Sequence, residues 1–349
     1  MPVKMLAAVF HENGGPEVLS VEEVERPEPA PGEARIRVEA ASLNHLDLWV
    51  RRGLPIEIPM PHIGGSDFAG TVDAVGSDGD RGWIGRRVVV DPSLGYDWYE
   101  LATLAGADPL RIIGEHTQGG FAEFAVVPVA NLVELPEAFP ASVAAAGALV
   151  GVTAWHGLFA QGGLRAGERV LVTGASGGVG TVAVQIAGLA GAEVYALTSR
   201  TAEVGALGAD HTFDRREPAW PRELYRATGR RGVDICLDSV GEAIWPDVLR
   251  ALAVGGRLVC YGATTGHHGH IDIRRLFWRK QSIVGSTMGT PADFRAVMAL
   301  VFDGRIAPPI HAELPLAEAR AAHRLLEAGG VFGKVVLTPH PYTDREAAT

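Results

Sequence analysis

The sequence predicts an α/β protein with two domains, one rich in short β-strands and one built on a doubly wound parallel sheet. Three observations predict this fold class. At 349 residues the chain exceeds the usual size of a single domain. The first third consists of short apolar or alternating segments separated by Gly, Pro and Asp, which is typical of β-structure. From about residue 149, strands alternate with helices, which indicates a parallel sheet.

The domain boundaries follow from the places where this pattern changes. The segments ARIRVEAASL, DFAGTVDAVG and RRVVVDP mark strands of the β-rich domain, and ERVLVTGA opens the parallel sheet. Near the C-terminus, two helices and the strand GKVVLTP fit a return of the chain to the first domain. We therefore expect the β-rich domain at 1–148 and 289–349, and the parallel-sheet domain at 149–288.

Charge and composition exclude several classes of binding partner. The formal net charge is -10 with no basic run, which argues against nucleic acid or an anionic membrane as the partner. The apolar stretch at the N-terminus is too short for a secretory signal, and no window suggests a membrane span, so we expect a cytoplasmic protein with a small-molecule substrate. Only two cysteines occur, Cys236 and Cys260, and both lie in apolar strand segments. So small a number excludes a disulfide framework and a zinc site with several thiolates.

A glycine-rich turn predicts a dinucleotide site. The turn GASGGVG follows the strand RVLVT and opens a helix. Its missing side chains let the backbone approach a pyrophosphate, and the helix N-terminus supplies unpaired N–H groups and partial positive charge. The residues expected at the pyrophosphate are Ser176, Gly177, Gly178 and Val179.

The end of the next strand favours NADP(H) over NAD(H). A site for NAD would place an acid here to hold the ribose 2′-hydroxyl, but the strand ends in Ser199 and Arg200. A guanidinium and a hydroxyl suit a 2′-phosphate, since Arg binds phosphate through paired hydrogen bonds. The alternative is that Arg200 is a solvated charge partly cancelled by Glu203.

The order of motifs resembles the medium-chain dehydrogenase/reductase superfamily over essentially the whole chain. The motifs include PGEARIRVEAASLNHLDLWVRRG, PHIGGSDFAGTVDAVG, GGFAEFAVVP, GERVLVTGASGGVG and VFGKVVL. The most similar branch is the quinone oxidoreductase-like group with its zinc-type alcohol dehydrogenase-like relatives. The resemblance implies a GroES-like catalytic domain, a Rossmann cofactor domain and often a homodimer joined through the Rossmann sheets.

The zinc ligands of the alcohol dehydrogenases are replaced in this chain. The resemblance places Asn44, Ser66 and Leu149 at the three catalytic ligand positions, while the neighbouring acid survives as Asp67. The structural zinc lobe would fall within about 91–115, where no cysteine occurs, so neither zinc site can be built in the family manner. Two other groups could hold a metal. These are His45, Asp47, His62 and Asp67 in the first, and His267, His268 and His270 in the second.

Without zinc as a Lewis acid, an activated double bond is the acceptor that the sequence favours. A quinone or an α,β-unsaturated carbonyl spreads negative charge onto oxygen, and hydrogen-bond donors can then replace the metal. We expect Asn44 to donate to that oxygen, and water, His45 or His62 to supply the proton. The candidate catalytic residues are Asn44, His45, Asp47, His62 and Asp67.

The resemblance also implies further contacts with the cofactor. Thr153 would border the nicotinamide, Lys334 would reach the pyrophosphate and Arg215 would lie near the 2′-phosphate. The ends of two later strands would border the cofactor through Ser239, Val240, Gly241, Gly262, Ala263 and Thr264. Two other functions stay open, namely an alcohol dehydrogenase with a non-standard metal site and a non-catalytic NADPH-binding protein similar to a lens crystallin.

Overall fold

The computed structural model describes residues 2–96 and 110–339. In chain order the strands are β1 (Lys4–Phe10), β2 (Ser20–Glu25), β3 (Glu33–Ser42), β4 (His62–Ile63), β5 (Asp67–Val75), β6 (Arg87–Val90), β7 (Ser93–Leu94), β8 (Arg111–Ile112), β9 (Phe124–Pro128), β10 (Leu132–Glu134), β11 (Arg169–Val172), β12 (Glu193–Thr198), β13 (His211–Asp214), β14 (Val233–Asp238), β15 (Leu252–Cys260), β16 (Ser282–Gly285), β17 (Ile310–Pro315) and β18 (Lys334–Thr338). The helices are α1 (His45–Arg52), α2 (Ala141–His156), α3 (Gly178–Leu189), α4 (Thr201–Ala206), α5 (Trp220–Ala227), α6 (Trp245–Ala251), α7 (Ile273–Trp278), α8 (Pro291–Phe302) and α9 (Ala319–Glu327).

The contacts divide the chain into two units. The first unit is Met1–Leu149 with Thr290–Thr349, and the second unit is Val150–Gly289. The main sheet of the first unit has the order β10-β6-β5-β3-β18-β17, and β9 pairs with β3. A smaller sheet has the order β2-β1-β4. The mixture of antiparallel pairs and short strands is the β-rich architecture that the first third of the sequence predicts.

The centre of the first unit is an apolar core to which strand β3 contributes one of its faces. Ile36, Phe68, Val88 and Leu337 are buried in one hydrophobic core that strands β3, β5, β6 and β18 supply. Along β3, Ala34, Ile36 and Val38 belong to this core, while the charged side chains of Glu33, Arg35, Arg37 and Glu39 alternate with them on the other face. This packing fixes the register at the ends of these strands, where the polar residues of the candidate site begin.

Helix α2 corrects one expectation from the sequence. Together with the turn of π-helix that follows, it forms an apolar helix at Ala141–Gln161, long enough by composition to cross a membrane. In its most apolar window, however, 78% of the residues are buried inside the protein, as in a core helix. The sequence does contain a window of spanning length, and its burial rather than its length argues against a membrane span.

The second unit is a parallel sheet flanked by helices. Its strand order is β13-β12-β11-β14-β15-β16, with every pairing parallel. The chain begins in the middle at β11, runs outward through β12 and β13, and returns to β14. Strand order therefore reverses between β11 and β14, and the loops that follow these two strands open at the same edge. The predicted doubly wound sheet is confirmed.

Candidate cofactor and catalytic sites

The glycine-rich turn joins β11 to α3 in the second unit. Gly174 has a positive φ of 56°, and Gly177 is the N-cap of the helix. A Cβ on Gly180 would lie 2.4 Å from the carbonyl oxygen of Gly174, so only glycine lets the helix pack this close to the turn. A Cβ on Gly177 would meet its nearest described atom at 3.4 Å, so the turn itself leaves room there. Gly180 therefore shapes the turn, whereas Gly177 leaves its outer surface open.

Asp238, at the end of β14, organises the neighbouring loop. Its buried carboxylate accepts hydrogen bonds from Thr173 Oγ1 at 2.5 Å, from the N–H groups of Val240 and Gly241, and from Trp245 Nε1 at 3.0 Å. Burial raises the pKa of this carboxyl, and the four donors oppose that effect. The sequence did not single out Asp238, although an acid that ends a buried strand is a signal for such a role.

The loop after β15 packs on the loop after β14. Thr264 donates through its N–H to the carbonyl oxygen of Ser239 at 3.0 Å and through its hydroxyl at 3.2 Å. A Cβ on Gly262 would lie 3.2 Å from Cβ of Ser239. The structure thus brings together the two expected segments Ser239–Gly241 and Gly262–Thr264 beside the glycine-rich turn.

Two arginines follow adjacent strands at the same edge of the sheet. The N–H of Arg215, just after β13, donates to the carbonyl oxygen of Thr198 at the end of β12, which brings it close to Ser199 and Arg200. Arg200 forms an ion pair with Glu203 at 3.0 Å, as the alternative interpretation expected. Arg215 is exposed, and its guanidinium has no hydrogen bond or ion pair within residues 2–96 and 110–339.

Thr153 lies on α2 and its hydroxyl is buried without a hydrogen-bond partner among the described residues. A buried hydroxyl without a partner costs free energy, so such a group in a native fold calls for a ligand or an ordered water. This observation fits the expected contact of Thr153 with a cofactor.

In the first unit, three buried polar residues meet where strands β3, β5 and β18 begin or end. Strand β3 pairs antiparallel with both β5 and β18, with Ser42 opposite Asp67 and opposite Val336. Continuing the second register by two residues brings Lys334 opposite Asn44. The three chain segments therefore converge on Asn44 although Lys334 is 290 residues away in sequence.

Asn44, Asp67 and Lys334, which we call the amide cluster, bond to one another. Nδ2 of Asn44 donates to Oδ2 of Asp67 at 2.8 Å, and Nζ of Lys334 donates to Oδ1 of Asn44 and to the same Asp67 oxygen at 3.2 Å. Asp67 and Lys334 are 0% and 2% exposed. The other Asp67 oxygen accepts the N–H of Leu149 at 2.8 Å. Burial raises the pKa of Asp67 and lowers that of Lys334, while their mutual attraction opposes both shifts.

This geometry gives Lys334 partners that the sequence analysis did not predict. The resemblance placed its ammonium at the pyrophosphate of the cofactor, but the side chain is buried in the first unit with two acceptors already bound. A signal was present in the sequence, because only three of the 31 Lys and Arg residues are lysine. A lysine at position 334 is therefore unusual in a chain whose basic residues are nearly all arginine.

Asp47 supports Asn44 from within α1. One carboxylate oxygen accepts the N–H of Asn44 at 2.6 Å, and the other accepts the N–H of Gly65 at 3.0 Å. Burial raises the pKa of Asp47 to about 7 in spite of these hydrogen bonds. Asp47 therefore joins the helix N-terminus to the loop before β5, which is a positioning role rather than the proton transfer that its place among the catalytic candidates suggested.

The two histidines differ in access. His62 is fully buried, and its ring nitrogens face the carbonyl oxygens of Pro59 at 3.2 Å and Gly114 at 3.0 Å. Both ring nitrogens of His62, at the start of β4, thus face main-chain carbonyl oxygens, which suits a structural role. His45, the first residue of α1, is exposed. Protein atoms around its ring displace part of the water, and this effect, with the charges of Lys334 and Arg52, lowers its pKa.

Ser66 precedes Asp67 and was expected at a replaced ligand position, among the polar residues nearest the substrate. Its side chain is fully buried, and its hydroxyl has no hydrogen-bond partner among the described residues. Like Thr153, it is a buried donor available to a ligand.

The residues do not fit the zinc sites of the superfamily. An amide, a hydroxyl and an aliphatic side chain stand at the three catalytic ligand positions, and the ammonium of Lys334 binds the amide oxygen of Asn44. No group of three His, Cys, Asp or Glu side chains that could hold a metal occurs in the part of the chain that the structure describes. Residues 97–109, most of the expected structural lobe, lie outside the described residues.

The far end of α1 is fixed by a second buried group. Arg51 is fully buried, and its guanidinium bonds to the carbonyl oxygen of Gly14, to Nδ1 of His323 at 3.1 Å and to Glu327. Burial and the charge of Arg51 lower the pKa of His323 to about 3, so the ring is neutral at pH 7 and accepts from Arg51. Contacts at both ends therefore fix the position of helix α1, and with it the position of Asn44 at the helix N-terminus.

Comparison with known protein families gives two matches. The model of the alcohol dehydrogenase GroES-like domain matches residues 30–137, and that of the zinc-binding dehydrogenases matches residues 178–303. These ranges fall within the first and second units respectively.

Relatives of known structure or curated function extend over nearly the whole chain. A quinone oxidoreductase of Pseudomonas aeruginosa is 31% identical, and the alignment covers 95% of this chain and 98% of that protein. The structure of an NAD-dependent alcohol dehydrogenase is 41% identical with a TM-score of 0.89, covering 96% of this chain and 99% of the other. A crotonyl-CoA carboxylase/reductase in complex with NADP is 27% identical with a TM-score of 0.87, covering 97% and 95%.

One relative is much longer than this chain. The chain is 31% identical over 331 residues to a mycocerosic acid synthase-like polyketide synthase of Mycobacterium tuberculosis, and it spans 14% of that protein's length.

Proposed function

The chain belongs to the medium-chain dehydrogenase/reductase superfamily, and we propose that it is an NADPH-dependent reductase that transfers hydride to a quinone or an α,β-unsaturated carbonyl without zinc. The observation that carries this proposal is the carboxamide of Asn44. It is buried, held by two charged neighbours, and uses only one of its two Nδ2 protons on the described residues. An amide donor of this kind suits an oxygen that gains negative charge.

The second unit supports the cofactor half of the proposal. Bound NADPH would supply the hydride. The open turn at Gly177 and the helix N-terminus behind it suit a pyrophosphate, and the hydroxyl of Thr153 suits a polar group of the cofactor. Arg215 and Ser199, at the ends of adjacent strands, suit the 2′-phosphate.

The choice of NADPH over NADH depends chiefly on Arg215. Arg200 is already paired with Glu203, so part of its charge is cancelled before a phosphate arrives. The relative in complex with NADP and the relative described as NAD-dependent show that both cofactors occur among similar chains. The guanidinium of Arg215, which is exposed and makes no hydrogen bond or ion pair with the described residues, favours the phosphorylated one.

The first unit supports the chemical half. Hydride addition to a conjugated carbonyl or a quinone develops negative charge on its oxygen, and we propose that the second Nδ2 proton of Asn44 and the hydroxyl of Ser66 bind that oxygen. With His62 engaged in its loop, His45 and solvent are the proton sources that we propose. The names of the quinone and crotonyl-CoA relatives fit both acceptor classes.

A substrate panel tests this function. Oxidation of NADPH is followed with quinones, enones, enoyl thioesters and aldehydes, and reduction of NADP⁺ is followed with alcohols. We expect turnover with at least one of the first three classes, and a loss of about 100-fold in kcat for Asn44→Ala. Turnover confined to aldehydes and alcohols, or stoichiometric zinc in purified tag-free protein, would contradict the proposal. Binding of NADPH without any turnover would favour the non-catalytic alternative.

We also propose that two copies pair through the second unit. Strand β16 ends the parallel sheet, and nearby α7 exposes Ile273, Phe277 and Trp278, the last at 82%. Large apolar side chains exposed together mark an interaction surface. Sedimentation should give a dimer for the natural chain and a monomer for Trp278→Glu, with Tyr225→Glu on α5 as the control. A natural chain that sediments as a monomer at micromolar concentration would contradict this proposal.

A further inference from the structure

We propose that Lys334 is a positioning residue that takes over the fixed positive charge which a metal supplies in zinc-containing relatives, and that it acts by orienting the carboxamide of Asn44. The inference rests on the proposed function, since it assigns Asn44 to the oxygen of the substrate. It differs from the cofactor contact that the resemblance implies for Lys334.

The charges on either side of Asn44 allow one orientation of its amide. Lys334 can only donate, so the carbonyl oxygen Oδ1 must face it, and the Asp67 carboxylate accepts, so the amino group Nδ2 must face that side. A rotation of 180° would place Nδ2 against the ammonium and Oδ1 against the carboxylate. The position of the second Nδ2 proton is therefore fixed before a substrate binds, which is what a preorganised donor requires.

The backbone fixes Lys334 in turn. The N–H of Lys334 donates to the carbonyl oxygen of Pro309 at 2.9 Å, and Gly333 before it has a φ of 80°. A Cβ on Gly333 would lie 2.1 Å from that same oxygen, so this turn accepts only glycine. The start of β18 is therefore set by its contacts within the first unit, and the ammonium reaches Asn44 from a rigid base.

Stability alone does not account for this buried pair. Removing two charges from water is costly, and a well-packed apolar pair is often as stable as a buried salt bridge. Besides their hydrogen bond to each other, the carboxylate of Asp67 and the ammonium of Lys334 each form a hydrogen bond with Asn44. The amide is the shared element, so the pair serves to hold it.

The test separates this role from a pyrophosphate contact. Lys334→Met removes the charge and keeps the length of the side chain, and Lys4→Met, on the exposed end of β1, is the matched control. We expect Lys334→Met to lower kcat by about 100-fold while the Kd for NADPH, measured by nicotinamide fluorescence, stays within about threefold. A Kd raised about tenfold with kcat retained would overturn the proposal in favour of the pyrophosphate contact.

A double-variant cycle tests whether Lys334 acts through Asn44. If it does, Lys334→Met should cost little further kcat in an Asn44→Ala background, because the effects of residues that act as a unit are not additive. Full additivity would overturn the proposal. Lys334→Arg keeps the charge, and we expect it to recover part of the kcat if Lys334→Met proves poorly folded.

One readout does not depend on turnover. The side-chain amide of Asn44 is assigned in a ¹⁵N-labelled sample by its loss in Asn44→Ala. We expect its two protons to give separate, slowly exchanging signals that collapse or shift strongly in Lys334→Met and not in Lys4→Met. If the natural chain reduces no substrate on the panel, the proposed function fails, whereas an Asn44 signal unchanged by Lys334→Met overturns the positioning role.

Discussion

The two candidate sites are built by opposite means. In the first unit the amide cluster consists of buried side chains that bond one another, with Asp67 0% and Lys334 2% exposed. In the second unit the turn before α3 offers backbone N–H groups, and Arg215 stands exposed at its edge. The first arrangement is assembled by folding, whereas the second is completed by its ligand. Changes in the amide cluster should therefore cost stability, and changes at the turn should cost binding.

The largest effect is expected at Asp67. Asp67→Asn leaves the ammonium of Lys334 buried without its counter-charge, which should lower the free energy of unfolding by about 3–5 kcal/mol. Urea unfolding measures this change. The control is Asp78→Asn, just after β5, where the carboxylate pairs with Arg81 at 2.8 Å with the two side chains 88% and 74% exposed, so it should contribute less than about 1 kcal/mol. Equal losses at the two positions would remove the contrast between buried and exposed charges.

Asp47 should give the first unit a distinctive dependence on pH. Its pKa is about 7 in the folded protein and 3.8 in a model compound, so the folded state holds the proton more tightly than the unfolded state. This stabilising contribution is complete below about pH 4 and is lost as the pH rises through 7, a change of roughly 4 kcal/mol. Asp47→Asn does not titrate at this position. The difference in unfolding free energy between the two proteins should therefore change by that amount between pH 4 and 7, and a constant difference would contradict the shift.

Two glycines in the same turn should separate stability from binding. In Gly180→Ala the new Cβ overlaps the carbonyl oxygen of Gly174, so we expect a loss of about 2 kcal/mol in stability as well as weaker NADPH binding. Gly177→Ala meets no described atom closer than 3.4 Å, so it should keep its stability and lose affinity for NADPH about tenfold. Thermal unfolding and fluorescence titration of both variants measure this. A stable Gly180→Ala would show that the helix can yield at this point.

The sequence predicts these two sites unequally, for a physical reason. The glycine-rich turn is a local pattern, so its place between β11 and α3 could be read from seven consecutive residues. The amide cluster joins residues from three separate strands and loops, and only the register of β3 with β5 and β18 brings them together. Asn44 and Asp67 were therefore named without their common partner, and the hydrogen bonds that Lys334 makes to both of them were not predicted.

The hydrogen bonds of the histidine and acid candidates were likewise beyond the sequence. His62 lies beside a proline and reads as an available loop residue, but the fold places both of its ring nitrogens against main-chain carbonyl oxygens. Asp47 was named as a catalytic candidate for its carboxyl group, although it stands three positions after Asn44, which is the spacing of a capping residue. The chemistry of a residue type was thus a weaker guide than its spacing.

The smallest effect is expected at the exposed edge of the second unit, where neighbouring arginines provide a matched pair. Arg216 is already bound to Asp214 at 2.5 Å, whereas the guanidinium of Arg215 has no hydrogen-bond or ion-pair partner among the described residues. Arg215→Ala should raise the Kd for NADPH about tenfold and leave that for NADH unchanged, since only NADPH carries the 2′-phosphate. Arg216→Ala should change neither constant by more than about twofold, because its charge is spent on Asp214. The free energy of unfolding should be the same in both variants, in contrast to the large loss expected for Asp67→Asn. If Arg215→Ala weakens NADH and NADPH equally, the residue serves the fold of this edge and the preference for NADPH loses its main support.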